Sequence, residues 1–216
     1  MSRAVLFDLD GTLTDTVALI AEHLAATLNR NGIECVPRDV YPLIGRPIEV
    51  TMDELYGFAD DRERMHSSII EYRDSLHVAV NAAGPQLVLP GVRTMLEDLR
   101  LGGYRIGVVT AKGGNEAVHL LGITELAHLV DVLVTTDEVA HGKPAPDSAL
   151  LALERLAVPA EGTWYVGDAA SDMVMALAAG MSAMGITTGA ASREELIDGG
   201  AEVVVDHADE VAKLLL

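Results

Sequence analysis

Two aspartates, Asp8 and Asp10, stand two residues apart where an apolar run ends, in Val5-Leu6-Phe7-Asp8-Leu9-Asp10-Gly11-Thr12-Leu13-Thr14-Asp15. On a strand, residues i and i+2 point to one face. Two carboxylates held that close in a partly dry site raise each other's pKa unless a cation joins them. A strand that simply ends in solvated acids would show the same pair, so the later strand ends decide its meaning. Thr110 closes Val108-Val109-Thr110-Ala111-Lys112, and its hydroxyl is able to donate to a phosphoryl oxygen. A β-branched strand end needs no such role. Lys143 lies in His141-Gly142-Lys143-Pro144-Ala145-Pro146-Asp147, where two prolines stiffen the following turn and Gly142 permits an unusual one before it. With only three lysines in the chain, Lys112, Lys143 and Lys213, a placed charge gains on the alternative of a solvated surface lysine. Asp168 and Asp172 follow Trp164-Tyr165-Val166-Gly167. Capping of the next helix by Asp168 accounts for one of these acids but not readily for both. Brought together, Asp8, Asp10, Asp168 and Asp172 suit a hard, oxygen-preferring cation, with Mg²⁺ the usual choice beside a phosphate. Lys143 would offset part of the remaining charge.

Short apolar, β-branched runs at Ala4–Asp8, Tyr104–Thr110, Asp131–Thr135, Thr163–Val166, Met181–Ile186 and Glu202–Val205 must position these groups. Helix-length patterns between them predict βαβ units and a parallel sheet. In such sheets ligands bind beyond the carboxyl ends of the strands, where all four signals fall. Far more chain separates the first two strands than one crossover needs. Residues 15–84 therefore read as an insert, with 1–14 and 85–216 forming the α/β core. Val17, Ile20, Leu24 and Leu28 mark an amphipathic helix in that insert, and further helices are expected over 47–57 and 60–79. Breaks fall at Gly45-Arg46-Pro47 and Phe58–Asp61, and Leu89-Pro90-Gly91 marks the return to the core. Val92, Met95, Leu96 and Leu99 then fit a helix ending at Gly102-Gly103.

At 216 residues the chain suffices for one sizeable core plus a small insert. Half the residues are hydrophobic but only 4% aromatic, so aliphatic side chains and Met must build the core. No apolar run approaches the roughly 18 residues of a membrane span. The start passes from Met1-Ser2-Arg3 into a strand without the regions of a signal peptide, and a cytoplasmic protein is expected. A single cysteine, Cys35, excludes an intrachain disulfide, and the seven histidines show no metal-ligand spacing. Thirty-three acids against fifteen bases give a net charge of −18. That argues against nucleic acid and anionic membranes as partners. It also requires any site for an anionic substrate to be locally positive.

Asp8-Leu9-Asp10-Gly11-Thr12-Leu13-Thr14-Asp15, Thr110, Lys143-Pro144 and Gly167-Asp168 with Asp172 closely resemble, in order, the four motifs of the haloacid dehalogenase-like hydrolase superfamily. The resemblance implies a Rossmann-like core with an all-helical cap inserted after the first strand, as in phosphoglycolate phosphatase-like members. It implies that Asp8 attacks phosphorus to form an aspartyl-phosphate, and that Asp10 protonates the leaving oxygen and then activates water. Thr110 and Lys143 would bind phosphoryl oxygens, with Gly11, Arg46 and Ala111 as further substrate contacts. Mg²⁺ would be held by Asp8, Asp10 and Asp168, and Asp172 would support Lys143 or a metal-bound water. Arg46 lies in a turn resembling the cap's specificity loop, where a guanidinium suits a carboxylate or second phosphate, although an exposed loop arginine needs no role. Ala111 stands where many relatives carry Ser or Asn.

Dehalogenating members resemble this chain but lack the second aspartate, so Asp10 turns the expectation to phosphoryl transfer. No lysine precedes position 112, which argues against a Schiff-base cap chemistry. The expected substrate is a small phosphorylated metabolite. Phosphosugar mutation, pyrophosphate hydrolysis and a silent phosphometabolite-binding role remain as alternatives.

Overall fold

The computed structural model describes residues 3–56 and 61–216. Strands β1 (Arg3–Phe7), β2 (Tyr104–Val109), β3 (Val132–Val134), β4 (Trp164–Gly167), β5 (Ser182–Ile186) and β6 (Val203–Val205) form one sheet in the order β3-β2-β1-β4-β5-β6. Every adjacent pair is parallel. The α/β, Rossmann-like core is thus as the runs predict, and each strand begins or ends within two residues of its run.

Continuous apolar strands are buried on both faces, and β1 shows why. Val5 and Phe7 enter one core cluster with Leu96, Ile106, Val108 and Val211, while Ala4 and Leu6 enter a second with Ala152, Leu156, Tyr165 and Met173. Helices α5 (Val92–Leu101) and α10 (Ala208–Leu215) supply the first face; α7 (Asp147–Leu156), α8 (Ala170–Ala178) and α9 (Arg193–Asp198) supply the second. Helix α6 (Gly114–Ile123) follows β2.

Register brings the strand ends level. Phe7 lies opposite Val108 on β2 and Val166 on β4. Asp8, Thr110 and Asp168 therefore emerge within one or two residues of the same line at the carboxyl edge. The connection into β4 crosses to the other side of β1, so the strand order reverses there, which is where open α/β sheets form a crevice.

Between β1 and α5 lie α1 (Val17–Arg30), α2 (Pro37–Val40), α3 (Ile48–Tyr56) and α4 (Arg62–Ala83). Helix α1 buries Val17, Leu24 and Leu28 as its periodicity predicts, with Ile20 partly buried. Helix α4 starts at an Asp61 cap whose side chain accepts from the Arg64 N–H at 3.1 Å, and runs four residues past the expected end. The expected end of the 47–57 helix at Gly57 and most of the Phe58–Asp61 break lie outside the described residues. The two crossings between these helices and the sheet run side by side. The Asp15 N–H donates to Leu87 O at 2.7 Å, and the Leu89 N–H to Leu13 O at 3.1 Å. No helix among the described residues is long and apolar enough to cross a membrane.

Phe7 is wholly buried in the central strand one residue before Asp8. Phe7→Ala should cost roughly 3–5 kcal/mol, read as a lower urea midpoint at unchanged slope.

Candidate active site

Asp8 leaves β1 with its N–H donating to Val166 O at 2.9 Å, which fixes its backbone to the end of β4. Its carboxylate is buried, and Oδ1 takes a hydrogen bond from Lys143 Nζ at 2.6 Å. Lys143 Nζ is also 2.7 Å from Asp172 Oδ1 and sits over the Tyr165 ring. Asp172 is fully buried: Tyr165 donates to its Oδ1, and the Ala169 N–H to its Oδ2. Asp172 thus ties down the start of α8 from inside the first turn. Asp168 is not the helix cap. Ala169 holds that position, and the Asp168 side chain turns instead to Thr12 Oγ1 at 2.8 Å and the Ala190 N–H at 2.9 Å.

Gly11 permits this convergence in a way its spacing did not foretell. It adopts φ +83°, and a Cβ there would lie 2.4 Å from Asp168 Oδ2. Its N–H donates to Thr14 O and its carbonyl accepts from Thr188 Oγ1.

Carboxylate oxygens of Asp8, Asp168 and Asp172 all lie within 4.8 Å of one another. One ammonium faces three buried acids. Burial, followed by the charges of Asp8 and Asp172, holds Asp168 well above the usual carboxylate range. Burial also pushes Asp8 up to about 7, against the opposing pull of Lys143 and with Asp172 and Asp10 adding to the rise. Burial alone would lower Lys143, yet Asp172 and Asp8 hold it above its ordinary value. An all-oxygen donor set with unbalanced negative charge fits a hard divalent cation.

In front of this cluster opens a cleft of ≈ 720 Å³, counting its mouth, lined by Asp8, Asp10, Thr110, Ala111, Arg46 and Lys112 among others. Lys143, Asp168 and Asp172 lie behind that lining. Ile20, Leu24, Val40 and Leu76 give the insert side an apolar wall, and Tyr72 sits beside them. Thr110 Oγ1 accepts from the Lys112 N–H at 3.2 Å, which leaves its own proton free to donate. Arg46 reaches the cleft but also pairs with Glu54, at 2.7 Å and largely exposed. Its loop sits down on the core because Gly45, at φ +91°, would as any other residue press on Ala169. Arg73 of α4 joins insert to core, 3.4 Å from Glu49 on α3 and 2.9 Å from Glu116 on α6.

Spacing missed Lys112, Thr16 and Thr12. Lys112 Nζ donates to both oxygens of Asp10 at 2.9 Å, and Thr16 Oγ1 donates to the same Oδ1 at 2.5 Å. The scarcity of lysine was the available clue, and it pointed as much to Lys112 as to Lys143.

Residues 5–186 match the family described as haloacid dehalogenase-like hydrolase. The chain belongs to that family. The hydrolase is 34% identical to Probable phosphatase IndB of Dickeya dadantii over 98% of this chain and 92% of that one. It is 31% identical to Pyrophosphatase PpaX of Bacillus mycoides over 99% and 96% of the two chains. It is 33% identical to a phosphoglycolate phosphatase of Cupriavidus necator over 98% and 92%. A crystal structure of a hydrolase from Pseudomonas syringae superposes with a TM-score of 0.88 at 25% identity, covering 99% of this chain and 97% of that one.

Asp8, raised from the usual 3.8 to about 7, holds a proton in the metal-free folded chain that the unfolded chain has already released. The folded state binds more protons in that window, so stability must fall as pH rises through it. Melts in EDTA should show a Tm declining between about pH 4 and about pH 7, and Asp8→Asn should lessen the decline, the raised Asp168 contributing in the same direction. Mg²⁺ should raise the Tm most at the alkaline end. A Tm indifferent to Mg²⁺ throughout would contradict the cation assignment.

Proposed function

We propose that this hydrolase is a Mg²⁺-dependent phosphatase acting on a small phosphorylated metabolite, phosphoglycolate-like in size and charge, through an aspartyl-phosphate on Asp8. The observation that carries the reading is a buried carboxylate at the end of the central strand, gripped by Lys143 and facing a cleft that also presents Asp10. A carboxylate is a competent nucleophile toward phosphorus, and the covalent intermediate divides one hard displacement into two easier ones. An Asp8 oxygen attacks phosphorus as the ester P–O bond breaks, and Asp10 gives its proton to the leaving oxygen. Asp10 then takes a proton from the water that attacks the acyl phosphate, releasing inorganic phosphate and restoring Asp8.

Lys143, with one N–H bond beyond its two aspartates, Thr110 through its hydroxyl and Ala111 through its backbone N–H meet the phosphoryl oxygens. Asp8, Asp168 and the Asp10 main-chain carbonyl would hold Mg²⁺, with Asp172 behind them; bound there, it would draw negative charge from the phosphoryl oxygens. Helices of residues 15–84 act as a cap, turning on the paired crossings at 13–15 and 87–89 and excluding water while the intermediate forms. Arg46 is the cap-side contact to a carboxylate or second phosphate. The reaction belongs in the cytoplasm, in keeping with a lone, buried, free Cys35.

The test is hydrolysis of p-nitrophenyl phosphate with Mg²⁺ and with EDTA. Activity should require the metal and fall at least roughly 10³-fold in Asp8→Asn. Acid quenching should trap phosphate on the peptide carrying Asp8. Full activity of Asp8→Asn, or metal-independent turnover, would refute the mechanism. Across a panel of phosphorylated metabolites, Arg46→Ala should raise KM for acidic substrates more than for neutral ones; an unaltered preference would remove Arg46 from the site.

A further inference from the structure

The carboxylate assigned to the leaving oxygen is not free in the structure. Lys112 Nζ lies 2.9 Å from each oxygen of Asp10, and Thr16 Oγ1 donates to Oδ1 at 2.5 Å. Both oxygens are engaged by protein donors, so a leaving group must compete with an ammonium for them. The pair is not surface decoration: the two side chains are only 13% and 12% exposed, and both line the cleft.

The other cations of the site are differently placed. Lys143 lies deep, between two aspartates. Arg73 already has two carboxylates near it, Glu49 and Glu116. Arg46 pairs with Glu54 at the mouth, 40% exposed. Among the described residues Lys112 has a single carboxylate partner, Asp10, and it is the one the reaction needs released.

Resting on the phosphatase reading, we propose that Lys112 exchanges partners when substrate binds. In the free enzyme it ties up Asp10. A second anionic group on the substrate takes the ammonium, and Asp10, carrying a proton taken from solvent in its place, turns to the leaving oxygen. Because Lys112 and the leaving oxygen share Asp10 as a neighbour, that second anion must lie only a few bonds from the scissile P–O bond. The favoured class is therefore a short phosphomonoester with an adjacent carboxylate, or a pyrophosphate-like compound with an adjacent phosphoryl group. An uncharged leaving alcohol leaves Lys112 on Asp10 and is turned over slowly. Lys112 acts here as a specificity-determining residue and, through Asp10, a positioning one.

The test compares 2-phosphoglycolate, pyrophosphate and ethyl phosphate under saturating Mg²⁺ in wild type, Lys112→Met and Lys112→Arg. In wild type at least one of the two anionic substrates should exceed ethyl phosphate in kcat/KM, with part of the advantage in kcat. Lys112→Met should shrink that advantage by at least about tenfold, as loss of one charge-assisted hydrogen bond predicts, and Lys112→Arg should retain most of it. Calorimetric binding of phosphonoacetate and ethylphosphonate should show the same Lys112-dependent preference without turnover. An advantage confined to phosphoglycolate assigns the second anion as a carboxylate, and one confined to pyrophosphate as a phosphoryl group. If Lys112→Met lowers all three substrates in proportion, or leaves the preference intact, the exchange is refuted while the phosphatase reading stands. If wild type hydrolyses none of them or p-nitrophenyl phosphate, the phosphatase reading itself falls, and the exchange with it.

Discussion

The ammonium of Lys143 is shut away from water between Asp8 and Asp172, 2.6 and 2.7 Å from their Oδ1 atoms, and the rest of the site is arranged around that contact. A buried charge without a partner costs several kcal/mol, so none of the three groups is tolerable there alone. The contact joins the end of β1, the loop before α7 and the first turn of α8, segments far apart in the chain. It also leaves an imbalance, since Asp168 adds a third buried carboxylate to one lysine. The raised pKa values of Asp8 and Asp168 express that imbalance, and a hard cation held there would relieve it.

Around this inner cluster lies a second, shallower ion pair with a different character. Lys143 is held from two sides and cannot leave without stranding both aspartates. Lys112 and Asp10 are paired one to one at the cleft, where an incoming anion is able to compete. Depth thus separates a charge fixed between two buried aspartates from a shallower one that we propose exchanges partners. Both work against a net charge of −18, which repels anions at a distance and makes local positive charge the condition for binding one.

The insert contributes an apolar wall and a few charged bridges. Arg73 spans from α4 to Glu49 on α3 and Glu116 on α6, so one side chain ties helices of the insert to the core. The Gly45 loop rests on Ala169, placing insert residues directly over the turn that carries Asp168 and Asp172. Closeness of the insert to the carboxyl edge of the sheet thus comes from a bare backbone as well as from charge.

Much of the fold was legible because its signals are local. Apolar β-branched runs mark strands, and polar residues directly after them fall at one edge once the strands are parallel. That reasoning places Asp8, Thr110 and Asp168 near one another without any knowledge of packing, and the register of Phe7 with Val108 and Val166 puts them there. Asp172 lies 2.7 Å from Lys143, one of the two places the resemblance offered it, but the partner of Asp10 was not legible. Nothing in its spacing singled out Lys112, whose Nζ lies 2.9 Å from Asp10. Residue types and strand ends determined what chemistry the chain can hold. Tertiary structure alone decided the pairing, because an ion pair depends on distance and burial between segments far apart in sequence, and no local pattern encodes either.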